Sequence, residues 1–388
     1  MQPNITISTA WRDRVLKDYS SLKGKRVIIR LDWNVPMENG KITDDSRASV
    51  TFDFIKQLSL AGAKLVLMTH FGEKGESLAP LVPYLLQHIA FATFTPSLSF
   101  DELLEQVNAL KESEAILLEN VRMWPGETDN IPSLAESFAS LGDAYINNAF
   151  SVSHREHASV VGITEYVPPY FGPLFARELE HLSQALTPAK PAFLIVGGAK
   201  IKTKLVLIKK YLDQGVRVFV GGAMVHDIWK ARGVEIGKSL SDGTSMLSEQ
   251  FLAHPLLMTP VDVVLETGET VARNAIPKDG NVVDCGEETV RMVAKTIQES
   301  KTVIANGPVG LYEKGWLKGS ENILTALAGA EAVTYIGGGD TVAVAHSLAL
   351  LQKFDFVSLG GGAMLDFLSS GTLPGIHAVT ESKQAGYR

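Results

Sequence analysis

At 388 residues the chain is too long for one typical hydrophobic core and points to two domains. Hydrophobic residues at 45% and charged residues at 20% belong to an ordinary globular protein, and a net charge of −7 gives no average attraction toward nucleic acid or an anionic membrane. Any anion site must therefore be a local concentration of positive charge, and the single Cys285 excludes both an intramolecular disulfide and a cysteine-based zinc site.

The opening MQPNITISTAWRDRV lacks the apolar core of a signal peptide, and no apolar run approaches a membrane span, so a cytoplasmic location is the expectation. From about Arg26 to Ser159 short apolar runs alternate with helical patterns, which predicts a parallel sheet. The runs RVIIRLDWN, KLVLMTHFG, AILLENVR and AYINNAF finish in Asp32, Asn34, His70, Arg122 and Asn147. VPPYFGP then breaks the alternation. The following LFARELEHLSQAL has apolar residues at helical spacing and reads as a linker helix able to serve as a hinge.

Beyond Pro191, five apolar runs each end in a glycine-rich cluster before a helical stretch: FLIVGGAK, VFVGGAM, VIANGPVG, VTYIGGGDT and FVSLGGGAM. Glycines at the carboxyl ends of parallel strands let backbone N–H groups approach a polyanion, and the helix that follows adds its positive end. One lobe is thus built for a small anion held by side chains, the other for a nucleotide held by backbone. The predicted organisation is α/β: a substrate lobe over residues 1–171, an interdomain helix over 172–190 and a nucleotide lobe over 191–371. The tail 372–388 is too short for a domain and is expected to pack back on the first lobe.

The segments LDWNVP, ITDDSR, LLENVR, SHREHAS, GGAKIKTK, PVDVV, NGPVGLYE, GGGDT, GGGAML and LPGI fall in the order and spacing of one family. From end to end the chain resembles phosphoglycerate kinase. The resemblance implies two Rossmann-like lobes, each a parallel sheet flanked by helices, that close over their substrates. It implies reversible phosphoryl transfer between 1,3-bisphosphoglycerate with ADP and 3-phosphoglycerate with ATP, a step of glycolysis and gluconeogenesis, with Mg²⁺ as cofactor. It further implies small-molecule substrates, a monomer, and no nucleic-acid or membrane partner.

By the same resemblance Asp32, Asn34, Arg47, His70, Arg122 and Arg155 surround 3-phosphoglycerate. Arginine suits this task because its planar fork stays charged and gives paired hydrogen bonds. Arg47 points at the group in flight; the plainer reading is a helix-start arginine after Asp44 and Asp45 that pairs with a local carboxylate. His154 is a supporting residue and His157 a structural one. Lys200 and Lys204 lie four apart, so on a helix following GGA they would share one face and reach phosphates, Lys204 taking the transferred group.

Asp340 would be the N-cap of the helix after GGG, and the resemblance makes it the magnesium contact, with Thr341 donating to phosphate. Gly360, Gly361 and Gly362 precede AMLDFLSS, and the amides of Gly361 and Gly362 would stabilise the transferring phosphoryl. Gly197, Gly198, Gly221, Gly222, Asn306, Pro308 and Glu313, with Gly338 and Gly339, match the nucleotide site. The accepting carboxylate is ionised at neutral pH, so no general base is required.

Several positions depart from the family pattern. HFGEK stands where HLGRP is usual, placing Glu73 where an arginine helps hold substrate, with Lys74 as a candidate substitute. Asn148, Ser151, Thr203, Ala223, Ala305 and Leu359 are further replacements. They motivate two alternatives: a paralogue phosphorylating another small carboxylate, and a nucleotide-binding protein without catalysis. A nicotinamide dehydrogenase is disfavoured because no clean G-x-G-x-x-G follows the first strand.

Overall fold

Strands that are covered on both faces are apolar at nearly every position, and the central strands here follow that rule. In strand Arg26–Arg30, Val27 and Ile29 join one core with Leu65, Leu67, Leu117 and Ile146. Ile28, between them, joins the opposite core with Val66, Met68, Ile116 and Tyr145. The computed structural model describes residues 9–73, 75–243 and 247–384.

The first sheet has six parallel strands in the spatial order Ala92–Phe94, Ala115–Leu117, Lys64–Met68, Arg26–Arg30, Ala144–Asn147, Pro169–Phe171. The second, also of six parallel strands, runs Leu257–Met258, Arg217–Val220, Ala192–Val196, Thr302–Asn306, Val333–Gly337, Phe356–Ser358. Counted along the second sheet's own strands, that order is the 3-2-1-4-5-6 of a dinucleotide-type doubly wound fold. Counted the same way, the first sheet runs 3-4-2-1-5-6. In both, the order reverses beside the first strand, and ligands bind outside the carboxyl ends at such a reversal. Arg26–Arg30 against Ala144–Asn147 marks it in the first sheet, Ala192–Val196 against Thr302–Asn306 in the second.

Two elements lie outside the predicted alternation. Thr270–Ala272, Asp262–Leu265 and Val282–Cys285 form a small antiparallel sheet, and Met37–Glu38 pairs with Lys41–Ile42. The PVDVV motif is thus the middle strand of the small sheet, its edges supplied by the chain that follows it.

The chain forms two compact units. One holds the residues up to Glu180 together with those from Ser370 onward; the other is His181–Ser369. Helix Pro173–Leu186 carries the first passage between them, and its apolar stripe, Phe175, Leu179, Leu182 and Leu186, is buried throughout. The tail joins the first unit: Gly375 N donates to Ser153 O at 2.9 Å, and Arg14 Nη2 donates to Ser382 O at 2.6 Å. Among the described residues no helix is long and apolar enough to cross a membrane.

Candidate active site

In the first unit the strand Arg26–Arg30 runs straight into Leu31 and Asp32. Trp33 is fully buried, with its backbone N–H on Thr69 Oγ1 and its Nε1 on Thr51 Oγ1, both at 2.9 Å. That anchor holds Asp32 and Asn34, on either side of it, at the strand's carboxyl end. Asp32 accepts from Ser151 Oγ and from the Asn34 amide, while Arg47 Nη1 lies 3.4 Å from both Asp32 Oδ2 and Asn34 O. Arg47 is thus paired with a carboxylate, that of Asp32, and not with its sequence neighbours: Asp44 accepts from Ser46 N and Asp45 from Tyr84 OH. Asn34 Oδ1 in turn accepts from Gly72 N at 2.9 Å, bracing the turn after His70.

His70 is buried, its Nδ1 3.8 Å from Asp32 Oδ1, and among the described residues that nitrogen makes no hydrogen bond. Burial pushes its pKa well below the ordinary imidazole range; Asp32 opposes this, and Arg30, Arg122 and Arg155 add to it. His70 is therefore a neutral imidazole among cations. Burial alone would raise the Asp32 carboxyl, but Arg47 and the hydrogen bonds from Ser151 and Asn34 bring it below the usual value.

Arg122 sits in the short turn Val121–Met123, positioned by Asn120, whose side chain accepts from Arg122 N and donates to Phe71 O and Glu76 O. Its guanidinium donates to Gly72 O. Arg155 is exposed, with Nε 3.3 Å from His154 Nε2. His157 instead faces the buried Glu127 at 3.6 Å. Asn147 closes its strand by accepting from Ala149 N. Glu73 is exposed on the turn, and Lys74 lies outside the described residues.

The sequence reading missed Arg30. It is 1% exposed, donates through Nε to Ser159 Oγ at 2.9 Å and through Nη1 to Leu31 O, and is balanced by Glu127, which accepts both Ser159 donors. Burial lowers its pKa, Glu127 resists, and Arg155 lies within electrostatic reach. The available signal was a lone charge inside an otherwise apolar strand, because such a residue is not buried without partners.

In the second unit the loop after strand Ala192–Val196 departs from expectation. The helix begins only at Leu205, with Lys204 as its N-cap, so Lys200 and Lys204 do not share a helical face. Thr203 Oγ1 donates to Lys200 O and Lys204 N to Ile201 O, local bonds that hold a turn in place of a first helical one. Lys200 stays exposed, whereas Lys204 folds inward, its ammonium donating to Gly197 O and lying 3.4 Å from Asn306 Oδ1. Burial pulls its pKa from 10.5 to about 8, and Asp340 opposes the shift.

Asp340 also differs from expectation. Gly338, at φ +94°, caps the helix Gly339–Ser347, so Asp340 sits in its first turn. Its carboxyl is raised by burial and by Glu313 and lowered by Lys204, which puts the three within electrostatic reach of one another. Thr341 Oγ1 accepts from Gly307 N at 2.8 Å and keeps its proton to donate. Gly222, at φ +67°, packs so tightly that a Cβ there would come within 2.6 Å of Gly198 N. Gly198 N donates to Pro308 O, and Gly222 N to Val309 O, so the first, second and third glycine clusters form one cradle. A narrow apolar cleft beside it is lined by Gly221's neighbours Gly222 and Ala223 with Trp229, Val309 and Leu311. Gly361 faces open space, and Gly362 starts helix Gly362–Ser370.

Such a cradle on the 3-2-1-4-5-6 sheet, in a chain whose other lobe gathers arginines, can hold a nucleotide and an anionic acceptor. A family model described as phosphoglycerate kinase matches residues 16–371. The chain belongs to the phosphoglycerate kinase family. A phosphoglycerate kinase of Synechococcus sp. (strain JA-2-3B'a(2-13)) is 37% identical over 397 residues, covering 93% of this chain and 96% of that one. That of Thermosipho africanus (strain TCF52B) is 37% identical over 389 residues, covering 94% and 97%. The solved phosphoglycerate kinase of Coxiella burnetii superposes with a TM-score of 0.80 at 33% identity, covering 93% of this chain and 97% of that one. The fold and the reaction class of the phosphoglycerate kinase family, a phosphotransferase with a carboxyl acceptor, therefore hold for this chain. The dehydrogenase reading falls.

Proposed function

We propose that Arg47 and Lys204 carry the charge that develops as a phosphoryl group passes between the acyl phosphate of 1,3-bisphosphoglycerate and ADP, giving 3-phosphoglycerate and ATP. The observation that carries the assignment is the desolvated Lys204 ammonium at the strand reversal, with Asp340 in electrostatic reach. A buried cation stabilises charge on equatorial phosphoryl oxygens more than a solvated one does, and needs no reorganisation during the step. Asp32, Asn34, His70, Arg122 and Arg155, joined by Arg30, hold the acceptor; the neutral His70 offers a nitrogen hydrogen bond without adding charge.

The glycine cradle of Gly198, Gly221, Gly222, Gly338 and Gly339, with Lys200, Asn306, Pro308, Glu313 and Thr341, takes the nucleotide. Gly361 and Gly362 present amides to the moving group. Among the described residues no three His, Cys, Asp or Glu side chains cluster to hold a metal, which fits Mg²⁺ bound by Asp340 together with substrate phosphates. Bound there, Mg²⁺ would neutralise phosphate charge. We place the enzyme in the cytoplasm as a monomer.

The test is a coupled assay with ATP, Mg²⁺ and 3-phosphoglycerate. Arg47→Ala or Lys204→Ala is expected to lower kcat by roughly 10²-fold or more. Near-native turnover in both variants refutes the assignment. Glu73, exposed on the acceptor-side turn, favours a second reading in which another small carboxylate is the acceptor; a screen of carboxylates at fixed ATP separates the two.

A further inference from the structure

Helix Leu205–Asp213 starts at Lys204, and its other end does something the reaction does not explain. Tyr211 OH donates to Ala185 O at 2.7 Å, and Gln214 Nε2, just past the helix, donates to Leu186 O at 3.2 Å. Both acceptors lie at the end of helix Pro173–Leu186. One residue before Tyr211, Lys210 Nζ donates to Leu368 O at 2.6 Å and to Ser369 O at 3.1 Å, in the last turn of helix Gly362–Ser370.

These acceptors are near special places in the chain. The two compact units are joined between Glu180 and His181 and again between Ser369 and Ser370. Those are the only covalent passages, so any change in the relation of the units must be absorbed there. A single helix thus grips the chain close to both. Helix Gly362–Ser370 has a second tie to the chemistry, since its amino end begins at Gly362. Lys210 therefore connects the carboxyl end of one phosphate-facing helix to the carboxyl end of another.

A lysine capping helix carbonyls is commonplace at a surface, where it adds little. Lys210 is different because it is half-buried. Burial alone pulls its pKa from 10.5 to about 8, so the ammonium is held at a cost that the two carbonyls and the negative helix end offset. Leucine or methionine would fill the same space without that cost.

We propose that Lys210 is a positioning residue for phosphoryl transfer: by clamping Leu368 O and Ser369 O it fixes the Lys204 helix relative to the Gly362 helix and to the second passage between the units. The proposal rests on the assignment of Lys204 and Gly362 to the transferred group. Removing the clamp leaves both binding pockets built but lets their phosphate-facing ends drift, and misplacement on the ångström scale is enough to slow a positioned transfer.

The experiment compares Lys210→Met, Lys210→Gln and Lys210→Arg with the native chain and with Lys204→Ala, in steady-state assays with ATP, Mg²⁺ and 3-phosphoglycerate and in thermal melts. Lys210→Met is expected to melt at or above the native temperature, keep both KM values within about 2-fold and lose roughly 10-fold in kcat. Lys210→Arg, which can still donate to two carbonyls, should recover most of that loss. Lys210→Gln, a neutral donor, should fall between and serves in place of Lys210→Met if that variant does not fold. Native kcat in a folded Lys210→Met or Lys210→Gln overturns the clamp, as does a loss that Lys210→Arg fails to recover. If Lys204→Ala also keeps its kcat, the underlying site assignment has failed; if Lys204→Ala is impaired and Lys210→Met is not, the clamp alone has failed.

Discussion

In the first lobe Arg30, Arg47, Arg122 and Arg155 are drawn toward His70 and Asp32, and each of the buried or half-buried ones has a supporting partner. Ser159 and Glu127 stand behind Arg30, Asp32 beside Arg47, and Asn120 behind the Arg122 turn. In the second lobe the half-buried Lys204 sits among glycines whose backbone makes the surface. The lobes share parallel sheets of six strands, yet fail in different ways. A site made of side chains depends on the groups that hold their charges, while one made of backbone depends on what is missing from it, the Cβ atoms.

The largest effect should come from attacking a support. Glu127→Ala leaves Arg30 buried without its counter-charge and is expected to destabilise the fold by about 3 kcal/mol, read as a lower denaturation midpoint. An unchanged midpoint would mean that Arg30 does not need Glu127. In the second lobe Gly222→Ala sets a Cβ against Gly198 at positive φ. It should raise the KM for ATP several-fold and cost about 1 kcal/mol or more, while leaving the KM for 3-phosphoglycerate alone. Equal changes in both KM values would break the division between lobes.

The pH response sharpens the contrast further. Lys204 titrates near 8 when folded and at about 10.5 when unfolded, so between these values the unfolded chain binds more protons and stability rises with pH. Lys210 pushes in the same direction. Activity should move oppositely, kcat/KM falling as pH rises through about 8 and the Lys204 ammonium is lost. Profiles of kcat/KM and of melting temperature from pH 7 to 10 check both signs; parallel trends would rule the account out. The smallest effect belongs to Glu73→Arg, an exposed change expected to lower the apparent KM for 3-phosphoglycerate a few-fold. If affinity is unchanged or worse, Glu73 does not mark a missing anchor.

Much of this was readable before any coordinates. Central parallel strands are solvent-free on both faces, so RVIIR and AFLIV announce themselves, and the residues that follow them fall at the ligand-binding end. Asp32, His70, Arg122 and the glycine clusters are candidates on that ground, and all lie just past the strands they follow. The helix starts were not: whether Lys204 and Asp340 lie before or inside a helix depended on Gly338's positive φ and on the Thr203 bond to Lys200 O. Arg30 was hidden because its partners Ser159 and Glu127 are about a hundred residues or more away along the chain.

Residue order alone thus settled the sheets and the family and set unlike residue types at the strand ends of the two lobes, since periodicity and strand-end composition are local properties. Charge states and supports came only with the folded chain. Burial sets the pKa of His70, Lys204 and Lys210, and burial is created by segments remote in sequence. The grip of one helix on the chain beside both passages between the units is of the same kind, invisible until residues 185, 210 and 368 meet.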